Sequence, residues 1–173
     1  MNKRELELYI HIPFCARKCS YCDFLSFAAP ERVYREYMDK LIEEICGQGP
    51  NFQEYRVSTI FVGGGTPSIL PADLIMELFA TLSENFDIAL DAEVTLEANP
   101  GTLTMEKLEV YRQSGINRLS IGLQSADDKE LKYLGRIHSY DSFLKSYQRA
   151  RQAGFKNINV DLMSALPGQD VHS

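Results

Sequence analysis

"HIPFCARKCSYCDF" (residues 11–24) packs three cysteines, Cys15, Cys19 and Cys22, into eight positions. The fourth cysteine, Cys46, stands well apart. Immediately before the thiols, "LYIHI" (8–12) has the short apolar run of a strand. The cysteines therefore belong to a loop at a strand's C-terminal end, where parallel α/β proteins place their active sites.

Outward from that loop, the same strand–loop–helix unit recurs. "ERVYREYMDKLIEEIC" (31–46) is strongly amphipathic and predicts a helix. "VSTIFV" (57–62) predicts a strand, "GGGTPSILP" (63–71) a loop and "ADLIMELFATLSENF" (72–86) a helix. "AEVTLEAN" (92–99), "TMEKLEVYRQSG" (104–115) and "NRLSIGL" (117–123) read as strand, helix and strand, the helix ending at Gly115. "DDKELKYLG" (127–135) is a short helix, and "SYDSFLKSYQRARQAGF" (139–155) is a longer one stopped by Gly154. "INVDLMSAL" (158–166) is a final strand before the "PGQ" turn.

This rhythm implies an α/β fold with a parallel sheet and helices packed over it. No linker or composition break interrupts it, so residues 1–173 read as one domain. Five strands suit either a doubly wound sheet or part of a barrel. The chain stops at "PGQDVHS", straight after a strand. An uncovered sheet edge is expected there, together with marginal stability, and the chain reads as the N-terminal part of a longer protein.

Bulk composition narrows the class. A chain of 173 residues can bury one sizeable core. Hydrophobic content of 45% and charged content of 24% fit a globular domain rather than a disordered or fibrous one. No apolar run approaches the roughly 20 residues that span a bilayer, and "MNKRELELYIHI" offers no secretory or transit pattern. The expected compartment is the cytoplasm, where clustered thiols are more often metal or redox groups than disulfides. A formal net charge of −6 gives no footing for nucleic acid. The pairs Lys3-Arg4 and Arg17-Lys18 read as solvated surface.

Thiolates select zinc, copper(I) or iron–sulfur clusters. Structural zinc wants four ligands, usually as two separated pairs. Here there are three, with no second CxxC or HxxxH pair. His11 lies in the strand pattern, where a histidine is more often packed or hydrogen-bonded. A [4Fe–4S] cluster on three cysteines leaves one iron open to an external chelator. The CxxxCxxC spacing favours that reading over zinc or plain buried thiols. Cys46 reads as a small apolar residue at a helix end.

Other candidates sit after later strands. The glycines of "FVGGGTPS" (61–68) allow close backbone approach to a ligand, and equally a tight turn. Glu97, Gln124, Arg136 and Asp161 lie in or just beyond later strands. Each is either a buried pair partner or a ligand contact.

The CxxxCxxC loop after the first strand resembles the mark of the radical S-adenosylmethionine (SAM) superfamily. That resemblance implies a partial (βα)6 TIM-like barrel, truncated here after about five strands. It also implies a [4Fe–4S] cluster on Cys15, Cys19 and Cys22, with SAM on the open iron. Reductive cleavage of SAM would then give a 5′-deoxyadenosyl radical. Gly64, Gly65, Thr66, Glu97, Gln124, Arg136 and Asp161 fall on the family's SAM-binding positions. By chemical type, the carboxylates would take ribose hydroxyls and the guanidinium the methionyl carboxylate.

Within the superfamily, "LYIHIPFCARKCSYCDF", "FVGGGTPS", "LEANPGT", "GINRLSIGLQS", "LGRIHS" and "DLMSALPGQ" look like the anaerobic coproporphyrinogen III oxidase-like proteins. That likeness adds Tyr9 and Tyr21 near the cofactor. The group's oxidases carry a further cysteine two residues beyond the third, where this chain has Phe24. CxF is the pattern of the haem-chaperone (HemW-type) branch. Function as a haem chaperone is expected, with SAM and the cluster retained and the haem site downstream of residue 173. Remaining alternatives are the oxidase, which converts propionates to vinyls, and a metal-binding fold without chemistry. The implied partners are haem-accepting proteins and a reductant protein such as flavodoxin or ferredoxin. No nucleic acid and no integral membrane segment are implied, and peripheral membrane attachment is compatible. In "DLMSALPGQ", Ser164 and Ala165 stand where the branch commonly has Tyr and Gly.

Overall fold

The computed structural model describes residues 3–170; the first two residues and Val171–Ser173, the end of "PGQDVHS", lie outside the described residues. Its elements alternate as β1 (Arg4–Ile12), α1 (Glu31–Gln48), β2 (Tyr55–Gly64), α2 (Ala72–Asn85), β3 (Ile88–Ala98), α3 (Met105–Gln113), β4 (Arg118–Gln124), α4 (Asp128–Tyr133), α5 (Tyr140–Gln152) and β5 (Asn157–Leu162). The sheet order is β1-β2-β3-β4-β5, and every neighbouring pair is parallel.

That order decides between the two α/β architectures. A doubly wound sheet reverses its strand order at a switch point. Here each strand joins beside its predecessor, so right-handed crossovers put the helices on one face. The arrangement is five units of a barrel wall.

Period-2 alternation divides the faces. Ile10, Ile12, Ile60, Val62, Val94, Leu96, Leu119 and Ile121 enter one core with Met38, Leu78, Leu108 and Phe143 of the helices. The intervening positions include the polar or small His11, Gly63, Glu97, Ser120, Gly122, Gln124, Asn159 and Asp161, with the stacked aromatics Tyr9 and Phe61 further from the strand ends. α3, α4 and α5 start with side-chain caps, Thr104, Asp127 and Ser139 accepting the N–H groups of Lys107, Lys129 and Ser142, while α1 and α2 start after Pro30 and Pro71 without one.

Two expectations need correction. The last strand ends at Leu162, not Leu166. The Met163 N–H makes the last bond of the pairing, to the carbonyl of Gln124 (2.9 Å), the partner of Leu162, and Ala165 then takes a left-handed φ of 61° that no strand continues through. Cys46 is not a packed helix end: α1 runs two residues further, and the thiol is exposed, accepting from Asn85 Nδ2 at 3.8 Å.

Candidate functional site

The cysteine loop has no regular structure, so bonds from elsewhere set its shape. The N–H groups of Cys15 and Phe27 donate to Phe27 and Pro13 carbonyls at 3.0 and 2.9 Å, closing the loop on itself. Ser20 N–H donates to the Leu134 carbonyl at 3.1 Å, tying the loop to the end of α4. A β-carbon on Gly135, whose φ is +74°, would sit 2.9 Å from Ser20 Oγ, so glycine permits this approach.

The loop covers a cavity of about 440 Å³ at the C-terminal ends of the strands. Of the twelve residues the sequence singles out, all but Tyr9 line it. Tyr9 is 60% exposed in β1, stacked on Phe61 and hydrogen-bonded to His11 Nδ1 at 3.0 Å. The other His11 nitrogen meets the Leu25 carbonyl at 2.9 Å, the hydrogen-bonded role expected of a strand histidine. Arg17 and Lys18, expected as plain surface, are exposed but also line the cavity, and Lys18 donates to the Phe24 carbonyl at 3.2 Å.

All three thiols are free; Cys15 is buried and Cys19 and Cys22 are half-buried. Among the described residues, no three His, Cys, Asp or Glu side chains converge as ligands of a single metal ion. The thiols instead border a shared space. A β-carbon on Gly65 would lie 2.6 Å from the Phe14 carbonyl oxygen and 3.0 Å from Cys15 Sγ, so only glycine leaves room beside that sulfur.

Backbone N–H groups of the glycine loop are already engaged. Gly64 donates to Glu97 Oε2 (3.0 Å), Gly65 to Ile12 O (2.8 Å) and Thr66 to Phe14 O (2.7 Å). What this loop can offer a ligand is therefore carbonyl oxygen, which suits an ammonium group. Burial raises the Glu97 carboxyl above its ordinary pKa; the Gly64 N–H opposes this, and the Asp161 charge adds to it. Asp161 accepts from Ser120 Oγ (3.1 Å) and from Asn159 Nδ2 (2.7 Å), which aim it from β5.

Arg136 sits in the α4–α5 connection. Its Nη2 donates to Asn99 Oδ1 and to the Gly122 carbonyl, both at 2.6 Å. Its Nη1 approaches Cys19 Sγ at 3.7 Å and Tyr21 Oη at 3.5 Å. Burial raises the Tyr21 phenol against the opposing pull of Arg136. Gln124 holds a left-handed φ of 73°, strain of the kind that marks functional sites.

Sequence reading missed Asn99, Gly122 and Met163, which also line the cavity. Asn99 had a signal: it lies two residues beyond Glu97, on the same face of an extended chain. Gly122 had none, because its role is to leave space. A β-carbon there would meet Gln124 Nε2 at 2.9 Å and Arg136 Nη2 at 3.3 Å.

Residues 9–173 match the family described as the radical SAM superfamily. The chain is 41% identical to the heme chaperone HemW of Escherichia coli over 167 residues, 96% of this chain and 44% of that protein. HemW of Bacillus subtilis is 39% identical over 162 residues, covering 93% of this chain and 43% of the relative. The mouse mitochondrial radical S-adenosyl methionine domain-containing protein 1 is 37% identical over 164 residues, covering 95% and 37%. The chain thus spans less than half the length of these relatives. Among solved structures, Escherichia coli coproporphyrinogen III oxidase (HemN) superposes with a TM-score of 0.89 at 33% identity, over 96% of this chain and 38% of that one. No helix among the described residues is long and apolar enough to cross a membrane.

Proposed function

The chain belongs to the radical SAM superfamily, and we propose that it is the cluster- and SAM-binding part of a haem chaperone. The observation that carries the choice of branch is Phe24. It lies two residues beyond Cys22, lines the cavity and is 68% exposed, and it cannot supply the thiol that the oxidases have there. Similarity points the same way, with 41% identity to HemW against 33% to HemN.

The donor set fits a [4Fe–4S] cluster. Three free thiols border one space without converging on a single ion, and Gly65 keeps that space open beside Cys15. When bound, such a cluster offers an open iron to the amino and carboxylate groups of SAM and a route for one electron. Around it, this chain's residues bind and orient. Carbonyls of Gly64 and Gly65 face the ammonium. Arg136 answers the methionyl carboxylate with a charge-assisted bond. Glu97, Gln124 and Asp161 hold the ribose, and Tyr21 shields the thiol loop. Tyr9 stands further out, on the same sheet face as Glu97.

On this reading residues 1–173 are the N-terminal part of the core domain. The remaining barrel unit, a C-terminal domain and the haem site lie in the rest of the protein. Its partners are a reductant such as flavodoxin or ferredoxin and haem-accepting proteins in the cytoplasm.

The test uses the whole protein reconstituted anaerobically with iron and sulfide, then given coproporphyrinogen III, SAM and a reductant. Mass spectrometry for vinyl products should find none, while a parallel haem titration saturates. Vinyl products would make it an oxidase despite Phe24. Zinc in place of iron and sulfide would leave only a metal-binding fold.

A further inference from the structure

Asn99 joins two of the three thiols through one hydrogen-bonded chain. Its Oδ1 accepts from Arg136 Nη2 at 2.6 Å, and its Nδ2 donates to Thr66 Oγ1 at 2.7 Å. Thr66 Oγ1 lies 3.4 Å from Cys15 Sγ, and Arg136 Nη1 lies 3.7 Å from Cys19 Sγ. The residue is held at its backbone as well. Its N–H donates to Ser68 Oγ at 3.2 Å, and its carbonyl accepts from Thr102 Oγ1 at 2.7 Å.

Chemistry gives this chain a direction. Arginine can only donate, so Asn99 must turn its carbonyl to Arg136 and its NH2 to Thr66. Having accepted from Asn99, the Thr66 hydroxyl has its proton free for Cys15. Thr66 is 3% exposed, so water does not compete freely for that proton. Both sulfurs therefore face hydrogen-bond donors, the arrangement a ligating thiolate favours. Donors to the sulfurs of an iron–sulfur cluster stabilise its more negative, reduced state and raise its potential.

We propose that Asn99 is a positioning residue that sets the direction of the Arg136–Asn99–Thr66–Cys15 chain and so raises the reduction potential of the cluster held by Cys15, Cys19 and Cys22. This rests on the cluster assignment above. Asn99→Asp tests it, because a carboxylate keeps the Arg136 pair but accepts from Thr66, drawing the hydroxyl proton away from Cys15.

The experiment is an EPR-monitored redox titration of the whole reconstituted protein without SAM. It compares the unsubstituted protein with Thr66→Val, Thr66→Ser, Asn99→Asp and the double variant Asn99→Asp/Thr66→Val. Poised at the unsubstituted midpoint, Thr66→Val should lower the reduced-to-oxidised ratio about three- to tenfold, tenfold being about 59 mV for one electron. Thr66→Ser should restore it. Asn99→Asp should shift the ratio more when Thr66 is present than when it is added to Thr66→Val, where only its charge acts. Equal shifts in both backgrounds, or no shift in Thr66→Val, would overturn the proposal while leaving the cluster assignment intact. Should Asn99→Asp fail to load, Asn99→Ala takes its place in both backgrounds: a larger shift with Thr66 present supports the proposal, and equal shifts with Thr66 present and in Thr66→Val overturn it. Absence of iron, sulfide and the EPR signal in the unsubstituted protein would overturn the cluster assignment, and the proposal with it.

Discussion

Glu97 accepts the backbone N–H of Gly64 at 3.0 Å, and the carboxylate that fixes the glycine loop is itself partly desolvated. Its pKa in the folded protein is raised above the ordinary 4.5, chiefly by burial. For a raised pKa, the stabilising contribution is present below the unfolded value and is lost as pH rises through the folded one. At neutral pH the ionised Glu97 is thus a cost to the fold. Glu97→Gln keeps an acceptor for Gly64 and should melt at the same or a higher temperature at pH 7, with the difference vanishing near pH 4. SAM affinity should fall about tenfold, in line with the roughly 1.5–3 kcal/mol of a hydrogen bond to a charged group. Melting curves and calorimetry check both arms; a large drop in melting temperature at pH 7 would make Glu97 structural instead.

Tyr111 is fully buried in α3, and its hydroxyl has no hydrogen-bond partner among the described residues. Leaving such a group unpaired costs about 1–3 kcal/mol. Tyr111→Phe removes the oxygen and keeps the ring, so it should stabilise the protein by about 1 kcal/mol or more in urea unfolding. A loss of stability would mean that the hydroxyl has a partner in solution.

Ala165 stands at φ 61°, where the branch commonly has glycine. The left-handed region costs a residue with a β-carbon roughly 1–2 kcal/mol, offset in part by the chain entropy that glycine restores to the unfolded state. Ala165→Gly should therefore stabilise by about 0.5–1 kcal/mol. It should leave iron content unchanged, since Ala165 does not line the cavity.

The parts of the fold legible in the sequence were those encoded by local period. Helices and strands followed apolar spacing to within a few residues, and the thiol triad was visible as spacing alone. The miss at residues 163–166 has the same origin. "LMSAL" continues an apolar run, and nothing local shows that the pairing with β4 makes its last bond at Met163 or that Ala165 turns left-handed. Asp161 was read as one polar residue. Its aim comes from the register Gly122↔Asp161 and Ser120↔Asn159, a relation between strands 39 residues apart. Arg17 and Lys18 looked like surface because long-range contacts fold their loop over the cavity, among them Ser20 N–H to the Leu134 carbonyl and Arg136 to Cys19 and Tyr21.

His138 is buried in the connection after α4 and meets the Leu123 carbonyl through Nε2 at 3.2 Å. Burial, then the Arg136 guanidinium, push its pKa from 6.5 down to about 4, against the Leu123 carbonyl and Asp128. With the folded value depressed, the stabilising contribution is present above pH 6.5 and is lost as pH falls toward 4. Melting temperature should decline across that window, and His138→Gln, which still offers Leu123 an N–H, should flatten the decline. An unchanged slope in the variant would place the acid sensitivity elsewhere.

Cys46 supplies an internal control for the thiol assignment, being exposed on α1 and absent from the cavity lining. Each of Cys15→Ser, Cys19→Ser and Cys22→Ser replaces a soft ligand with a weak hard one, which iron–sulfur clusters tolerate poorly. Those three variants should each lose most bound iron and sulfide and the visible absorption of the reconstituted protein, whereas Cys46→Ser should retain all of it. The decisive comparison is Cys22→Ser. Its thiol has no side-chain hydrogen bond among those described, so loss of the cluster there reflects ligation alone, without the Thr66 or Arg136 contacts that accompany Cys15 and Cys19. Full iron retention in Cys22→Ser would leave two thiols as ligands and break the triad.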